Sequence, residues 1–344
     1  MEREHITLRD VAREAGVSYA TASRALNGSD RTVRKENADR VRAAADRLGY
    51  APDLSAQAIA RGSSSTVALV VNDIDDPYFS SIAAGVTEAA QEAGLIVTMA
   101  IADRSPGLEL QIVRTLRGHR PRAVIIAGTR TVGSDAHTAL IDELSAYHRS
   151  GGRVALISQP ELPFTTLSVD NYGGAHRLAT ALAGAGYRRF AIVHAGDDIR
   201  TSADRRQGFT DGIHASGLTV DAADQIVADF TRTGGNQAAA AIASRRPEAV
   251  FAVNDVMAIG LMSGLRDAGR TPGADIAVAG FDDIAAAVDV LPPLTTVRVP
   301  LHDLGRQALE LALASATASR VDIPVELVLR ESTPQAHAIA PGQG

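Results

Sequence analysis

Residues 6–27 read ITLRDVAREAGVSYATASRALN, and this stretch decides the fold of the N-terminal part of the chain. Thr7 precedes Asp10 by three positions, which is the spacing of a capping box at the start of a helix. Gly16 can adopt a positive φ and end that helix, and Ser18 can cap the next one. Two short helices joined around a glycine are typical of a helix-turn-helix. The alternative is a helical hairpin with a purely structural role.

The second helix carries the side chains that would contact DNA. Its helical period turns Ala22 and Leu26 inward and leaves the opposite face free. A forked arginine, a methyl group or a tyrosine on that face can contact base edges in a major groove. The predicted base-reading residues are Tyr19, Ala20, Ser23 and Arg24. Hydroxyl and amide groups are natural phosphate donors, and the predicted ones are Thr7, Ser18, Thr21 and Asn27.

A third helix is predicted from Lys35 to Leu48, followed by a stop signal at 49–52 and a weakly amphipathic segment at 53–61. So short a helix is marginal alone in water. We expect it to form as a hinge when DNA and a partner chain supply contacts. Ile59 is then the candidate apolar wedge for a minor groove. The alternative for Ile59 is an ordinary linker residue.

The N-terminal sequence resembles the lactose-repressor (LacI/GalR) family of transcription regulators. The motifs that carry the resemblance are TLRDVA at 7–12, AGVS at 15–18 and TASRALN at 21–27. The resemblance implies a helix-turn-helix head, a hinge helix and a two-lobed effector domain. It also implies that the specificity positions of the recognition helix are Tyr19, Ala20 and Arg24, and that Ile59 stands at the position of the minor-groove lever.

Two positions in the head depart from the family pattern. Ala22 stands where the family packs a larger aliphatic residue, so we expect the core of the head to contain less side-chain volume. Arg34 replaces the usual serine or proline near the start of the third helix, which puts the cap of that helix in doubt.

From Thr66 onward, short apolar runs alternate with helical stretches, and the cycle repeats in the second half of the chain. Such alternation is typical of parallel strands in a doubly wound α/β arrangement. Two cycles predict two lobes with a cleft between them, each with a doubly wound parallel sheet. The predicted strands lie at 67–71, 96–101, 123–127, 154–157, 190–194, 226–228, 250–253 and 276–279.

Polar and aromatic side chains follow several of these strands, where open α/β sheets bind ligands. With two further residues at 205 and 230, they provide aromatic rings, carboxylates and a forked donor, which suit a polyhydroxylated ligand. The predicted effector-binding residues are Phe79, Arg130, Asp170, Arg205, Phe230, Asn254, Phe281 and Asp282. Except for Arg130, the resemblance also implies effector-cleft positions for them. The alternatives are helix caps for the Asp and Asn residues and solvent exposure for Arg205.

The resemblance extends from about Ile6 to Glu331 and implies discontinuous lobes. The predicted divisions are a head at 1–50, a hinge and linker at 51–65, one lobe at 66–165 plus 295–321, the other at 166–294 plus 322–335, and a disordered tail at 336–344. Ser158 and Val299 depart from the polar side chains that sugar-responsive members carry. We therefore expect a sugar-like effector without a prediction of which sugar.

Composition and charge narrow the class of protein. The chain has 344 residues with a net charge of −6 and no cysteine, which excludes disulfides and thiolate sites. Residues 1–62 carry 11 basic and 9 acidic side chains, against 23 and 31 in the remainder. A basic head on an acidic body is consistent with a DNA-binding module. The N-terminus predicts no signal peptide, and no apolar run is long enough for a membrane helix. We therefore expect a cytoplasmic protein.

No nucleophile elbow, zinc-protease motif or phosphate loop occurs in the sequence. We therefore expect neither an enzyme nor a cofactor or metal. The predicted function is a homodimeric transcription regulator, most simply a repressor, that binds a pseudo-palindromic operator. The predicted effector is a sugar or a sugar derivative. One alternative is a purine-like corepressor stacked between Phe79 and Phe230. The other is a two-lobed solute-binding receptor, and the presence of a DNA-binding head argues against it.

Overall fold

A computed structural model describes residues 6–27, 33–51, 64–130, 136–314 and 319–335. The chain divides into two compact units, the head at 1–65 and the body at 66–344. Three predictions lie largely or wholly outside the described residues: the hinge and linker at 51–65, of which 52–63 are not described, Ile59 as a wedge, and the disordered tail at 336–344.

The described part of the head consists of the three predicted helices α1 (Leu8–Glu14), α2 (Tyr19–Asn27) and α3 (Lys35–Leu48). Their small core is made mostly of alanine and valine, because closely crossing helices leave space for few larger side chains. Val11 and Ala22 are fully buried there, together with Ala44 and Val41. Ala22 therefore fills an interior position as predicted, although it is a small residue.

Local capping explains where these helices begin and end. The backbone N–H of Thr7 donates to the Asp10 carboxylate at 3.0 Å, which completes the predicted capping interaction. Gly16 has a φ of 64° and Gly49 a φ of 65°, so both close their helices in the left-handed region. Arg34 precedes α3 without a side-chain cap among the described contacts.

The body alternates strands with helices, as the apolar pattern predicts. Its strands are β1 (Thr66–Val71), β2 (Ile96–Ile101), β3 (Ala123–Ala127), β4 (Arg153–Ile157), β5 (Thr165–Val169), β6 (Phe190–His194), β7 (Gln225–Val227), β8 (Ala249–Ala252), β9 (Ala277–Ala279), β10 (Thr296–Arg298), β11 (Arg320–Ile323) and β12 (Glu326–Val328). Its helices are α4 (Pro77–Glu92), α5 (Pro106–His119), α6 (Ala136–Arg149), α7 (Asn171–Gly184), α8 (Arg200–Ala215), α9 (Arg232–Arg245), α10 (Asp255–Asp267), α11 (Ala286–Asp289) and α12 (Leu301–Leu313), with a 3₁₀ turn at Ala222–Asp224.

Two parallel sheets define the lobes within the described residues. The first-lobe sheet has the order β11-β5-β4-β3-β1-β2, and the second-lobe sheet has the order β7-β6-β8-β9. Strand β1 lies between β2 and β3, pairing Thr66 with Ile96 on one side and Val67 with Ala123 on the other. Its apolar side chains are buried because helices cover both faces of a parallel sheet. The predicted fold class is confirmed. A short antiparallel pair, β10 with β12, adds to it.

The chain crosses between the lobes at residues other than those predicted. Strand β5 (165–169) pairs with β4 and β11, so the chain leaves the first lobe after residue 169 rather than near 165. Strand β10 was predicted in the first lobe, but Thr295 bridges Ala279 and Asp282 bridges Arg298, which places it with the second lobe. Strand β11 lies wholly in the first lobe. These strands are short and rich in Thr, Ser and charged residues, so the apolar pattern does not separate them.

Candidate DNA-binding head and ligand cleft

The recognition helix α2 presents the predicted base-reading side chains to solvent. Tyr19 is 55% exposed, and Ala20 and Arg24 are also exposed. Ser23 is half-buried and already has an interaction partner. Ala22, on the opposite face of the helix, is fully buried. The helix therefore has an outer face that offers a guanidinium, a methyl group and a phenol, which are groups that read a major groove.

Three of the four predicted phosphate donors lie at helix starts. The backbone N–H of Thr21 donates to the Ser18 hydroxyl at 3.1 Å, and the two hydroxyls are 2.8 Å apart. One hydroxyl donates to the other, so one hydroxyl hydrogen of the pair is left for a phosphate oxygen. The Thr7 hydroxyl donates to Asp10 at 2.6 Å. Asn27 is the last residue of α2, and its side chain lies outside the described residues.

A cleft lies between the two lobes of the body, with about 550 Å³ of empty space that includes open solvent. Both sheets turn their carboxyl ends toward it, as expected for an α/β site. The first lobe contributes Asn72, Asp76, Tyr78, Phe79, Arg104, Gly128, Thr129, Ile157, Ser158, Gln159 and Val169. The second lobe contributes Asn171, Thr201, Arg205, Phe230 and Asp282. The structure thus brings four predicted residues together: Phe79, Arg205, Phe230 and Asp282.

Arg205 is the centre of the second-lobe wall, and its side chain is only 3% exposed. Its three nitrogens donate to three acceptors: Nε to Asn171 Oδ1 at 2.8 Å, Nη1 to the carbonyl of Val253 at 2.9 Å, and Nη2 to Asp282 Oδ1 at 2.8 Å. The guanidinium also lies 3.8 Å from the ring centre of Phe281. Arg205 is therefore a fixed positive group in the cleft, contrary to the solvent-exposed alternative.

Close contact between α7 and α8 makes this arrangement possible. A Cβ atom at Gly208 would lie 2.2 Å from the carbonyl oxygen of Tyr172. The missing side chain lets the two helices approach, which brings Arg205 on α8 within reach of Asn171 at the start of α7. A glycine one helical turn from Arg205 thus serves the site through packing.

Asp282 is held in an uncommon backbone conformation with a φ of 124°. Its N–H donates to the Val297 carbonyl at 2.8 Å, and its own carbonyl accepts from Val299 at 3.1 Å. Such strain persists where the surroundings over-determine it, typically at functional sites. Burial raises the pKa of Asp282 to about 8, although Arg205 acts in the opposite direction. Burial therefore favours the protonated form of this carboxyl group, whereas the bond from Arg205 favours the carboxylate.

The first-lobe wall adds a second buried acid and an aromatic pair. Asp76 is 7% exposed and caps α4 by accepting from the Tyr78 N–H at 3.0 Å. Burial raises the pKa of Asp76. Tyr78 and Phe79 form an edge-to-face pair with ring centres 5.0 Å apart. Burial raises the pKa of the Tyr78 phenol, so that it stays a neutral hydrogen-bonding group.

Arg130 was predicted to bind the effector, but its side chain does not line the cleft. Two of its nitrogens donate to the two oxygens of Glu109 at 3.0 and 2.8 Å, and Nε donates to the Ser158 hydroxyl at 3.1 Å. Both side chains of the ion pair are at most 8% exposed. Three of its five N–H groups are already engaged, and Arg130 is not among the cleft-lining residues, so this prediction is corrected.

Three other predicted residues lie around the cleft rather than on its wall. Asp170 caps α7 through a bond from the Gly173 N–H at 2.9 Å and pairs with the exposed Arg177. Asn254 caps α10, and its buried Nδ2 has no hydrogen-bond partner among the described residues. Phe281 is fully buried beneath Arg205. For Asp170 and Asn254 the capping alternative describes the observed contacts.

Several cleft residues were not predicted from the sequence. Asn72 directly follows β1, Arg104 follows β2 and Gln159 follows β4, so the strand-end rule could have found them. Thr201 lies in the first turn of α8, where nothing in the local pattern marks a ligand site.

An exposed recognition helix on a small helical head and a two-lobed body with an interlobe cleft are the architecture of a DNA-binding transcription regulator. Residues 7–53 match the family described as "Bacterial regulatory proteins, lacI family", and residues 179–333 match a "Periplasmic binding protein-like domain". The chain belongs to the lacI family of bacterial regulatory proteins.

The relatives are similar over nearly their whole length. The transcriptional regulator CelR of Thermobifida fusca is 31% identical over 95% of this chain and 96% of its own length. The regulator GalS of Salmonella typhimurium is 32% identical over 97% of each chain. The structure of a CelR–cellobiose complex, at 28% identity, covers 95% of this chain and 99% of its own with a TM-score of 0.69. A lac repressor dimer bound to operator and the anti-inducer ONPF shares the fold with a TM-score of 0.81, 24% identity and coverage of 96% and 100%. Within the described residues, no helix is both long and apolar enough to cross a lipid bilayer.

Proposed function

We propose that this chain is a cytoplasmic repressor whose affinity for its operator is changed by a neutral sugar or sugar derivative bound between the lobes. The observation that carries the proposal is the wall of the cleft. It combines fixed donors and acceptors at Arg205, Asp282 and Asp76 with aromatic rings at Tyr78 and Phe230. Hydroxyl groups need paired donors and acceptors, and the C–H faces of a sugar lie against aromatic rings.

A purine-like corepressor is the second candidate, since Phe79 and Phe230 line the same cleft. The guanidinium of Arg104 lies 5.5 Å from the ring centre of Phe230, and Phe79 is only 6% exposed. A base stacked between these rings needs an open face on both of them, and the nearly buried Phe79 does not offer one. These contacts favour the sugar.

We further propose that the chain acts as a homodimer with two heads on two half-sites of a pseudo-palindrome. Exposed apolar side chains on the sheet edges support pairing. Ile96, Met99 and Ile101 lie on the edge strand β2, and Val227 on the edge strand β7 is 66% exposed. Exposed apolar side chains on an edge strand favour association, and a second copy of this chain would cover them.

A thermal-shift screen of neutral sugars, including cellobiose, against nucleobases tests the ligand class, because a ligand that binds only the native state raises the melting temperature. We expect a sugar to stabilise the protein and to change its gel shift on the promoter region of its own gene. Stabilisation by nucleobases alone would overturn the sugar assignment. Failure to bind any DNA duplex at low salt would overturn the proposal that the chain is a DNA-binding regulator.

Base reading by α2 is tested with Arg24→Ala in a binding-site selection. Loss of a bidentate contact to a base should cost about 1–3 kcal/mol of discrimination at one position. Arg42→Ala on α3 is the matched control, because Arg42 is exposed and pairs only with Asp39 among the described ion pairs. An unchanged site preference for Arg24→Ala would remove this residue from base reading.

A further inference from the structure

Helix α8 begins without a cap of its own. The residue before its first turn is Ile199, whose side chain cannot accept a hydrogen bond. The first N–H groups of a helix have no partner within the helix and are normally satisfied by a Ser, Thr, Asp or Asn side chain at that position. At α8 they must be satisfied from elsewhere.

Two of these N–H groups have their partners in the opposite lobe. The N–H of Arg200 donates to the carbonyl of Arg130 at 3.3 Å, and the N–H of Thr201 donates to the Thr129 hydroxyl at 3.0 Å. Both acceptors follow β3 in the first lobe, whereas α8 packs in the second lobe. The two lobes therefore share a helix cap that exists only while they are in contact.

Two side-chain contacts surround this shared cap. Gln159 donates through Nε2 to the Thr201 hydroxyl at 2.9 Å, and Arg200 forms an ion pair with Glu161 at 3.3 Å. Gln159 is buried, and its Oε1 accepts from the N–H of Arg130 at 3.0 Å. One side chain thus connects the backbone that supplies the cap to the helix that receives it.

The buried ion pair holds the backbone that supplies the cap. Arg130 is fastened by Glu109 and Ser158, and its carbonyl is then presented to α8. Nothing in these contacts requires a ligand, and neither Arg130 nor Glu109 lines the cleft. Burial of an ion pair is unfavourable unless its geometry is good and further hydrogen bonds satisfy it, and this bidentate pair with Ser158 meets that condition while it fixes Arg130 beside α8.

We propose that residues 129–130 of the first lobe and the start of α8 form a latch that holds the lobes together, with Arg130 as its positioning residue. When the lobes separate, α8 loses its cap, so the latch favours the closed arrangement before any effector binds. The latch rests on the proposed function. A ligand that prefers one lobe arrangement shifts an equilibrium between closed and open lobes, and the latch sets that equilibrium before the ligand binds.

The absence of cysteine allows a direct measurement of lobe separation. Gln91 on α4 and Ala240 on α9 are exposed, one on each lobe, and both are changed to cysteine and spin-labelled. Full-length labelled chain is diluted with unlabelled chain so that distances within one protomer dominate. Pulsed electron resonance then gives the ratio of short to long distances without sugar or DNA.

Ile199→Ser tests the cap. A serine would cap α8 within its own lobe, so the closed-to-open ratio should fall at least about threefold while the melting temperature does not fall below that of Ile199→Val. Ile199→Val is the matched control, because it trims the side chain without adding an acceptor. Equal ratios for the two variants would overturn the latch.

The double change Glu109→Met with Arg130→Met tests the positioning role, since removing both charges avoids a lone buried ion. We expect a similar fall in the closed-to-open ratio, with Thr180→Val on α7 as a control whose hydroxyl bonds within its own helix. A wild-type ratio would overturn the role of Arg130. Since neither readout uses an effector, failure of the latch is separable from failure of the sugar assignment.

Discussion

Each lobe of the body buries an arginine beside a carboxylate, and the two lobes use this arrangement differently. In the first lobe, Arg130 gives two nitrogens to both oxygens of Glu109. In the second lobe, Arg205 gives one nitrogen to each of three acceptors, so that Asp282 receives a single bond from it through Oδ1. The pair of Arg130 and Glu109 does not line the cleft, whereas Arg205 and Asp282 both do.

The difference shows that burial and residue type do not define a ligand site. Both arginines are at most 5% exposed, and each donates to a buried acidic side chain. What separates them is how the donors are distributed. A bidentate pair satisfies both partners, while distributed donors hold the guanidinium rigid and leave its carboxylate partner less occupied. The predictions below test this contrast.

The largest expected effect is on stability. Glu109→Ala leaves the Arg130 charge buried with the Ser158 hydroxyl as its remaining side-chain partner, which should lower the free energy of unfolding by about 3–5 kcal/mol. Asp282→Ala should cost less, because Arg205 keeps Asn171 and the Val253 carbonyl. Urea denaturation of both variants measures the difference. Equal losses would show that the distribution of donors does not matter.

The next effect is on ligand affinity. Arg205→Met should weaken binding of the sugar found in the thermal-shift screen at least about 100-fold, or roughly 2.7 kcal/mol, while gel shifts still detect DNA binding. The double Met variant at 109 and 130 should lose far less affinity, because those side chains do not reach the cleft. Calorimetry measures both. A larger loss for the double variant would reverse the assignment of the two pairs.

The smallest effect is on the pH dependence of stability. Burial raises the pKa of Asp282 to about 8, against about 3.9 in an unfolded chain. The native state then binds this proton more tightly, so its contribution to stability is present at acid pH and is lost as the pH rises through about 8.

We therefore expect the free energy of unfolding to fall more steeply from about pH 5.5 to 8.5 in the wild type than in Asp282→Asn, by at least about 1.4 kcal/mol, the value of one pKa unit. Denaturation curves at both pH values measure it. Parallel slopes for the two proteins would show that Asp282 stays ionised beside Arg205.

The head could be predicted almost completely from its sequence. The Thr7–Asp10 spacing, Gly16 and Ser18 are local signals, and they mark the start and end of α1 and the start of α2 as the structure has them. The third helix was predicted with its exact limits, Lys35 to Leu48. Capping and helical period act over a few residues, so the sequence order contains them.

The cleft could be predicted only in part. Phe79, Phe230 and Asp282 were found because strand ends and the family pattern point to them. Arg130 follows a strand just as Asn72 does, yet the first turns to Glu109 and the second lines the cleft. Glu109 is 21 positions from Arg130 in the chain, and no local pattern connects the two.

By itself the sequence determined the helix-turn-helix, the two cycles of strand and helix, and the types of side chain available for a ligand, because period, capping and composition are local properties of a chain. Tertiary structure alone decided which arginine faces the cleft, where the chain crosses between lobes, and that α8 is capped by the opposite lobe. Each of these depends on donors and acceptors that are distant in sequence. Only packing of the helices and sheets brings them within hydrogen-bonding distance.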